Sequence, residues 1–461
     1  MRRFLWIFLL FLLVGFCYAQ DRFDFSGYLK NETSFRIEGL NNDLTKFKNI
    51  IELSGQYKIK DDELVFFAKT KYWYDAMYDF RDEYDSGQHY QGHIQRADWL
   101  RDCYLDYIKG PWFLRLGKQQ VAWGQSDGIA VLDRVNPFDL TEYWLQDFVD
   151  LRIPLWMANI NYSPKLNSNL QILIIPDFEQ STAAYPYAPF VFYSTQRFEN
   201  WRKGQGGVDL NIHYPGKQLE NSTFGLQWSD RIGDLDYTLN YLNGFYYSVR
   251  NYTIYVSGPP QGGPTSFWKV DRSFKRWKMY GASMNKTFTN PGPLQGITLR
   301  GDFAYYDDEP MYWGDPLIAS SSGIKRLDNI FWLLGVDKYV VTNWLVSFQY
   351  AEYILQNPKP GATTARRNYF FNPYTYGPQD PLEHIFSIKI STDFLHERLK
   401  PEILWSFTDD NQGRLSPKVT YELKDNIWLT LGIHYFYGSE FDSNGQFRDQ
   451  SQAYMNVKYT F

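Results

Sequence analysis

The stretch RFDFSGYLKNETSFRI, residues 22–37, alternates apolar and polar side chains along its whole length. One set of alternate positions holds Phe23, Phe25, Leu29, Phe35 and Ile37, and the other holds Tyr28, Lys30, Glu32, Ser34 and Arg36. Because successive side chains of a strand point to opposite faces, the pattern predicts a strand with one apolar and one charged face. Charge on the inner face and apolar groups on the outer face are typical of a barrel wall with lipid outside and water inside.

The same alternation recurs through residues 47–59 and 64–74 and continues to the end of the chain. It predicts about 18 strands (16–18), including an eighth at 220–229 and a tenth at 272–288. Connections after even-numbered strands are short, whereas those after odd-numbered strands include 77–96, 125–152 and 178–219. This asymmetry is typical of outer-membrane barrels. We therefore predict an all-β fold, a transmembrane antiparallel β-barrel, filling one domain at residues 20–461.

The composition agrees with such a wall. The chain has 37 Tyr, 35 Phe and 16 Trp, or 19% aromatic residues, yet its mean hydropathy is −0.46. A polar average with many aromatic residues suits a barrel with aromatic belts at the two membrane interfaces, and a large secreted β-sandwich or propeller is the alternative. The net charge of −5 argues against a nucleic-acid partner.

The first 19 residues are predicted to be a signal peptide. Arg2 and Arg3 precede an apolar run at 4–16, and Cys17 and Ala19 occupy the −3 and −1 positions of a cleavage site before Gln20. Export is therefore expected. The second cysteine of the chain, at position 103, would then be alone and could form no intramolecular disulfide.

The last residues, AYMNVKYTF, put Ala453, Met455, Val457, Tyr459 and Phe461 on one face. This segment resembles the terminal strand of bacterial outer-membrane barrels, whose final residue, usually Phe, is read by the barrel-assembly machinery. The resemblance implies that Phe461 is the residue recognised and that outer-membrane lipid and lipopolysaccharide surround the barrel. A homotrimer, as in general porins, and a monomer both remain open.

Residues 125–152 follow the fifth strand, and they are too long and irregular for a turn. Porins place their constriction loop after the same strand, so we expect this segment to fold into the lumen. The candidate constriction residues are Asp127, Asp133, Arg134, Asp139, Glu142 and Asp147, with Asp150 nearby. The candidate basic wall opposite them is Arg36, Lys46, Lys48, Lys69, Lys71 and Arg115. Opposed charges select permeants, and the excess of acids predicts a mildly cation-favouring constriction. An ordinary surface loop is the alternative.

The run LRDCYLDYIKGPWFLRLGKQQVAWGQSDGIAVLDRVNPFDL, residues 100–140, resembles the signature of a large family of uncharacterised Gram-negative outer-membrane proteins known by a domain-of-unknown-function label. The matching residues are Leu116, Gly117, Gln119, Trp123, Gly124, Asp133, Asn136, Pro137, Asp139 and Leu140. The resemblance implies an outer-membrane channel for organic or hydrophobic solutes, and it assigns no chemistry.

An enzymatic role is not expected. The sequence contains no GxSxG, HExxH or P-loop motif, and His89 and His93 have metal-like spacing only within a loop. We predict no catalytic residues, no metal and no cofactor. The predicted function is an outer-membrane porin for passive passage of small solutes, constricted by the loop 125–152. The alternatives are a plugged or structural barrel acting with a secretion or export partner, and an outer-membrane hydrolase.

Overall fold

The structure is a computed structural model that describes residues 22–37, 43–80, 95–203, 208–248, 251–257, 267–313, 323–356, 370–371 and 380–461. The predicted signal peptide and the pair His89 and His93 lie outside the described residues.

Eighteen strands form the barrel wall, each antiparallel to the next. Their bounds are β1 Phe23–Arg36, β2 Leu44–Lys60, β3 Leu64–Asp75, β4 Gln95–Lys109, β5 Trp112–Gln119, β6 Leu155–Lys165, β7 Ser168–Ile175, β8 Thr223–Ile232, β9 Leu235–Phe245, β10 Arg276–Thr287, β11 Ile297–Trp313, β12 Gly323–Val341, β13 Trp344–Leu355, β14 Leu382–Ser391, β15 Leu399–Thr408, β16 Gly413–Lys424, β17 Ile427–Tyr437 and β18 Gln452–Thr460. Strand β1 pairs with both β2 and β18, so the sheet closes on itself. The predicted closed antiparallel barrel of about 18 strands is confirmed.

Several short elements lie between the wall strands. Val208–His213, Asn251–Ser257 and Phe267–Ser273 form a separate three-stranded sheet, and Asp139–Leu140 pairs with Thr182–Ala183. Phe370–Phe371 adds to β11. The helices are Met77–Phe80, Phe148–Leu151 and Tyr193–Lys203, with 3-10 turns at Leu219–Asn221 and Gly445–Gln450. None of the described helices has the length and apolarity that crossing a membrane requires.

Even-numbered wall strands are followed by short turns and odd-numbered ones mostly by long loops, which defines a short-turn end and a long-loop end. On the outer face, aromatic rings contact one another between neighbouring strands. Centroid distances are 5.2 Å for Tyr241–Tyr280, 5.5 Å for Trp332–Tyr350, 5.1 Å for Tyr350–Phe386 and 5.1 Å for Phe386–Phe407. Towards the short-turn end, contacts include Phe25–Phe461 at 6.1 Å and Trp112–Tyr162 at 4.6 Å. Two such groups match the aromatic belts of membrane barrels.

The inner face has two unlike halves. On β1–β3 it carries charge, and Glu32 lies opposite Lys48 while Glu52 lies opposite Lys71. On β6–β13 many buried inner residues are apolar, with polar ones such as Asp302 and Gln349 between them. The apolar ones are Leu155, Met157, Leu173, Ile175, Leu242, Trp277, Met279, Ala304, Tyr306, Phe331, Leu333 and Ala351. Charge on the inner positions, expected from the first strands, is therefore sparser on β6–β13. The apolar half needs a cover, and the loop after β5 supplies it.

Candidate functional site

The loop between β5 and β6, residues 120–154, folds inward and contacts wall strands on both sides of the lumen. We call it the inward loop, and we call residues 120–138 its apolar arm and residues 139–152 its charged arm.

The base of the apolar arm is tied by Asn136. Its side-chain oxygen accepts a hydrogen bond from the Val121 N–H at 2.8 Å, and its amide nitrogen donates to the Ile153 carbonyl at 2.9 Å. The Ile153 N–H in turn donates to the carbonyl of Pro137 at 2.8 Å. Buried backbone groups need such partners, so Asn136 and Pro137 of the family signature hold together the two chain segments where the loop leaves and rejoins the wall.

Asp133 and Arg134, both predicted at the constriction, are buried supports instead. The Arg152 guanidinium donates to both oxygens of Asp133, the shortest contact being 2.6 Å. Burial raises the pKa of Asp133, and the ion pair with Arg152 opposes that rise. Arg134 lies over the ring of Tyr306, with its guanidinium carbon 5.6 Å from the ring centroid. Neither side chain is among those that line the cavity of the lumen.

The tip of the apolar arm binds the wall at Asp302 of β11. This carboxylate accepts hydrogen bonds from the backbone N–H groups of Gln125 and Ser126, each at 2.9 Å. Gly124 precedes them with φ +99°, and a Cβ there would lie 2.8 Å from an Asp302 oxygen. A side chain would be strained at this φ and would press on the carboxylate. The Trp-Gly pair of the signature is thus explained by close approach to the wall.

Asp127 also points to this side of the barrel. Its backbone exchanges two hydrogen bonds with the Gln349 side chain, at 3.1 and 2.9 Å. Its carboxylate lies 3.2 Å from the Lys389 Nζ on β14. Asp127 is therefore paired with a lysine that was not predicted, rather than with the basic wall on β1–β5.

Apolar side chains fill the space between the apolar arm and β6–β13. Those of the arm are Val121, Trp123, Val131, Leu132 and Val135, all buried against the wall residues named above. Leu132 sits over Gly281, where an added Cβ would come within 2.2 Å of its side chain. The Trp123 indole nitrogen donates to Gln171 at 2.8 Å. The arm thus closes half of the lumen with a packed core.

The charged arm faces the opposite half. Glu142 forms ion pairs with Lys46 and with Lys48, the second at 2.7 Å, and Asp150 pairs with Lys71 at 2.5 Å. Burial alone would raise the pKa of Glu142, but the two ammonium groups outweigh it and hold that pKa below its usual range. The pKa of Asp150 is likewise lowered, because Lys71 outweighs the effect of burial. Both acids are therefore charged at neutral pH.

Asp139 is satisfied within the loops instead. It accepts hydrogen bonds from the hydroxyls of Thr141 at 2.7 Å and Thr182 at 2.9 Å. Its position beside the short pair Asp139–Leu140 and Thr182–Ala183 indicates a structural role.

A cavity of about 430 Å³ remains between the charged arm and strands β1–β3 and β16–β18. Its charged lining consists of Lys30, Lys46, Lys48, Lys71, Lys418 and Lys458 with Glu32, Glu142, Asp147 and Asp150. Six ammonium groups thus face four carboxylates. Of the predicted constriction residues, Glu142 and Asp147 lie here, and of the predicted basic wall, Lys46, Lys48 and Lys71 do.

The remaining predicted wall residues do not line this cavity. Arg115 forms a two-point pair with Asp106 at 2.7 and 2.8 Å, Lys69 lies 3.7 Å from Glu52, and Arg36 donates to Gln450 at 3.1 Å. Conversely, Lys30, Glu32, Lys418 and Lys458 line the cavity without having been predicted as site residues. Alternation places them on an inner face, but it does not say which part of the wall the loop will face.

The cavity lining also includes one histidine, His434. The His434 Nδ1 lies 3.0 Å from the Ser416 hydroxyl, and its ring stacks on Tyr454. Within the described ranges, no cluster of three His, Cys, Asp or Glu side chains could hold a metal ion.

Comparison with known proteins finds one matching family and several solved structures of similar fold. The family described as "Protein of unknown function (DUF1302)" matches residues 38–461. The crystal structure of Acinetobacter baumannii OccAB1 is similar at 10% identity and TM-score 0.52, covering 96% of this chain and 97% of that one. Pseudomonas aeruginosa OpdK with vanillate is similar at 9% identity and TM-score 0.51, covering 96% and 99%. A. baumannii OccAB4 is similar at 10% identity and TM-score 0.50, also covering 96% and 99%. Among curated proteins nothing matches. At these identities the structural likeness is one of fold, that of porin-like outer-membrane channels.

Proposed function

The chain belongs to the DUF1302 family, and from its porin-like fold we propose that it is a channel for passive passage of small solutes, constricted by the charged arm of the inward loop. One observation carries the proposal: Glu142 of the loop is ion-paired with Lys46 and Lys48 of the wall, and a cavity remains beside this contact. A solute crossing the barrel on this side passes between the charged arm and the wall.

We infer that the constriction favours anions. The acids of the loop, considered without the wall, predict a preference for cations. In the cavity, however, Glu142 and Asp150 of the loop are ion-paired with lysines of the wall. In total, six lysines face four carboxylates there. Among the described residues, Lys458 has no carboxylate within ion-pair distance, and its ammonium lies 4.3 Å from the Tyr28 ring centroid. A ring of such charges selects permeants by sign.

The test is the reversal potential of the refolded full chain in a planar bilayer under a KCl gradient. We expect chloride to be more permeant than potassium, and Lys458→Gln to lower that ratio. Lys58→Gln is the matched control, because Lys58 pairs with Asp62 near the turn after β2 and lies outside the cavity lining. Vanillate, the compound in the OpdK structure, serves as a carboxylate probe of current block. Preference for potassium in the wild type would overturn the inferred selectivity.

A plugged barrel acting with an export partner is the second candidate. Phe138, Leu140, Tyr143 and Leu151 of the inward loop pack with residues of the other long loops and of β17 in a second apolar cluster. Together with the apolar arm, this cluster fills much of the long-loop end. A wild-type barrel without conductance, which conducts only after the loop is displaced, would favour this candidate over an open channel.

We also propose the location and partners that the sequence suggests. The chain would be exported by its signal peptide, residues 1–19, and assembled into the outer membrane among lipid and lipopolysaccharide, as a homotrimer or a monomer. Phe461 exchanges two backbone hydrogen bonds with Gly27, at 2.9 and 3.0 Å, and its ring is partly exposed. It is thus available to the barrel-assembly machinery. We expect Phe461→Ala to reduce the folded fraction in isolated outer membranes, measured by heat-modifiable gel migration, and Tyr459→Ala to reduce it less.

A further inference from the structure

As at β7, the barrel wall is low at β5, the strand before the inward loop. This strand has eight residues, Trp112–Gln119. At about 3.3 Å per residue and a tilt of roughly 40°, eight residues climb about 20 Å, less than the ~25 Å apolar band of a membrane barrel. The chain then turns inward at residue 120, so the wall above β5 must be completed by another part of the molecule.

Among the described residues, the gap leaves an edge of β4 without a strand partner. Strand β4 runs from Gln95 to Lys109, but its pairing with β5 begins only at Cys103 opposite Lys118. On its other edge, β4 bulges, so that Asp102 and Asp98 lie opposite Lys69 and Lys71. An open edge is costly in a membrane wall, because its backbone groups need partners. The Lys118 Nζ supplies one by donating to the Leu100 carbonyl at 2.9 Å.

Residues 147–152, which we call the lateral segment, lie against this edge. One guanidinium nitrogen of Arg101 on β4 donates to the carbonyls of Val149 at 2.9 Å, Asp150 at 3.1 Å and Arg152 at 3.2 Å. The Asp150 carboxylate is held by Lys71 of β3 at 2.5 Å. On its wall side the helical turn Phe148–Leu151 is thus held by two side chains, while Leu151 and Phe148 pack in the second apolar cluster.

The lateral segment separates two different environments. Asp147 and Asp150 line the cavity together with Lys48 and Lys71. The neighbouring Val149 is 58% exposed, and the strands on either side of the gap carry exposed apolar side chains: Trp99 at 66% and Leu100 at 40% on β4, and Trp156 at 46% on β6. A lysine-lined cavity and an apolar outer rim thus lie on either side of a single helical turn.

We propose that the lateral segment is a side door, through which the alkyl tail of a single-chain anionic amphiphile reaches the outer face while its head group stays in the cavity. The inference rests on the proposed channel function and names a substrate class for it. The head group competes with Asp150 for the Lys71 ammonium, and the tail takes the place of Val149 between Trp99 and Trp156. Opening then requires loss of the Arg101 hydrogen bonds to the segment and a shift of Phe148 and Leu151 in the second apolar cluster.

The experiment compares current block by methanesulfonate and octanesulfonate, which share a permanently charged head and differ in their tails. Octanesulfonate is used below its micelle-forming concentration on the refolded full chain. Burial of one methylene strengthens binding by about fourfold, so three or four buried methylenes give roughly 100-fold tighter block by octanesulfonate. Trp99→Ala with Val149→Ser should remove most of this difference and leave methanesulfonate block unchanged. Trp405→Ala with Val419→Ser, two exposed outer-face positions on β15 and β16, is the matched control and should keep it.

A second readout follows the lateral segment itself. Val149→Cys in a Cys103→Ser background carries a fluorophore, and spin-labelled lipid quenches it more strongly when the segment moves outward. Octanesulfonate should increase the quenching and methanesulfonate should not, and Arg101→Gln should raise it without any ligand. The side door is overturned, while the channel stands, if the two sulfonates block equally. It is also overturned if the Trp405 control loses as much of the difference in block as the Trp99 variant does. A barrel without conductance overturns the channel. The side door is then tested by quenching alone, and it is overturned if octanesulfonate does not increase the quenching.

Discussion

The apolar arm of the inward loop lies against β6–β13 with its side chains in a packed core, whereas the charged arm meets β1–β3 through ion pairs beside a cavity. Apolar packing changes little with salt or pH. Ion pairs next to water are weakened by salt, and they are lost when acid protonates the carboxylates. One loop thus combines a fixed anchor with an adjustable constriction, so changes to the two arms should have different consequences.

The largest effect is expected from the anchor. Leu132→Ala removes a fully buried side chain that packs on Gly281, and leaves a cavity. We expect about 3 kcal/mol loss in the free energy of unfolding, together with a noisier and larger single-channel current. Guanidinium unfolding in lipid vesicles and planar-bilayer recordings measure the two. Leu431→Ala, at an exposed outer-face position of β17, should cost much less; similar losses at the two positions would contradict the packed anchor.

Gly124→Ala tests the tip of the same arm. The new Cβ meets φ +99° and a carboxylate oxygen at 2.8 Å, so the bonds from Gln125 and Ser126 to Asp302 are disturbed. The expected loss is about 2 kcal/mol, read from the same unfolding curves. Gly128→Ala is a control with a positive φ of 83° but open space around the Cβ. It therefore isolates the contact with the wall, and an equal loss in both variants would exclude that contact as the cause.

Glu142→Gln tests the charged arm. It leaves Lys46 and Lys48 without their shared carboxylate beside the cavity. Because water reaches this site, we expect only about 1 kcal/mol loss of stability, less than for a dry buried pair, with a clear rise in chloride selectivity. Reversal potentials before and after the change provide the measurement. Unchanged selectivity would place the constriction elsewhere.

The charged arm should also respond to acid. Because the lysines lower the pKa of Glu142 and of Asp150, both contributions are complete above the usual carboxyl pKa of about 4 and are lost as the pH falls through the lowered values. Conductance should therefore be constant from about pH 8 to 5 and should rise only below about pH 4. The rise should shrink in Glu142→Gln. A transition near neutral pH would require another titrating group.

The smallest effect is expected far from both arms. Arg231→Gln breaks an exposed pair with Asp236 at the turn after β8. Water and salt screen such an exposed pair, so neither unfolding nor current should change measurably. A larger change would mean that the short-turn end takes part in gating.

Much of the wall could be predicted because alternation is a local property of the sequence. Predicted strands differ from the observed ones by a few residues where the chain is irregular, as at β8, which begins at Thr223 rather than 220, and at β10, which begins at Arg276 rather than 272. The separate sheet of 208–213, 251–257 and 267–273 lies outside the barrel wall, and it was not among the predicted elements. Its strands pair with one another and not with the wall.

The site was less predictable, because it depends on contacts between distant segments. Glu142, Lys46 and Lys48 were singled out by charge, and they do meet. Asp133 and Arg134 have the same charge pattern, but Asp133 is buried and Arg134 half-buried, since the arm that holds them packs on an apolar wall. Nothing local distinguishes Asp302 from any other inner acid. Its importance comes from two backbone N–H groups far away in the chain.

That distance has a consequence for the order of events during assembly. Gln125 lies 177 residues before Asp302, and Asp127 lies 222 residues before Gln349. Lys389, which pairs with the Asp127 carboxylate, lies 262 residues after Asp127. The loop therefore cannot settle on its anchor points until β11, β13 and β14 are in place. While the barrel is being built it passes through a stage with a wide, unguarded lumen. Slow assembly prolongs that stage, so it should raise the permeability of the membrane before it lowers the amount of protein.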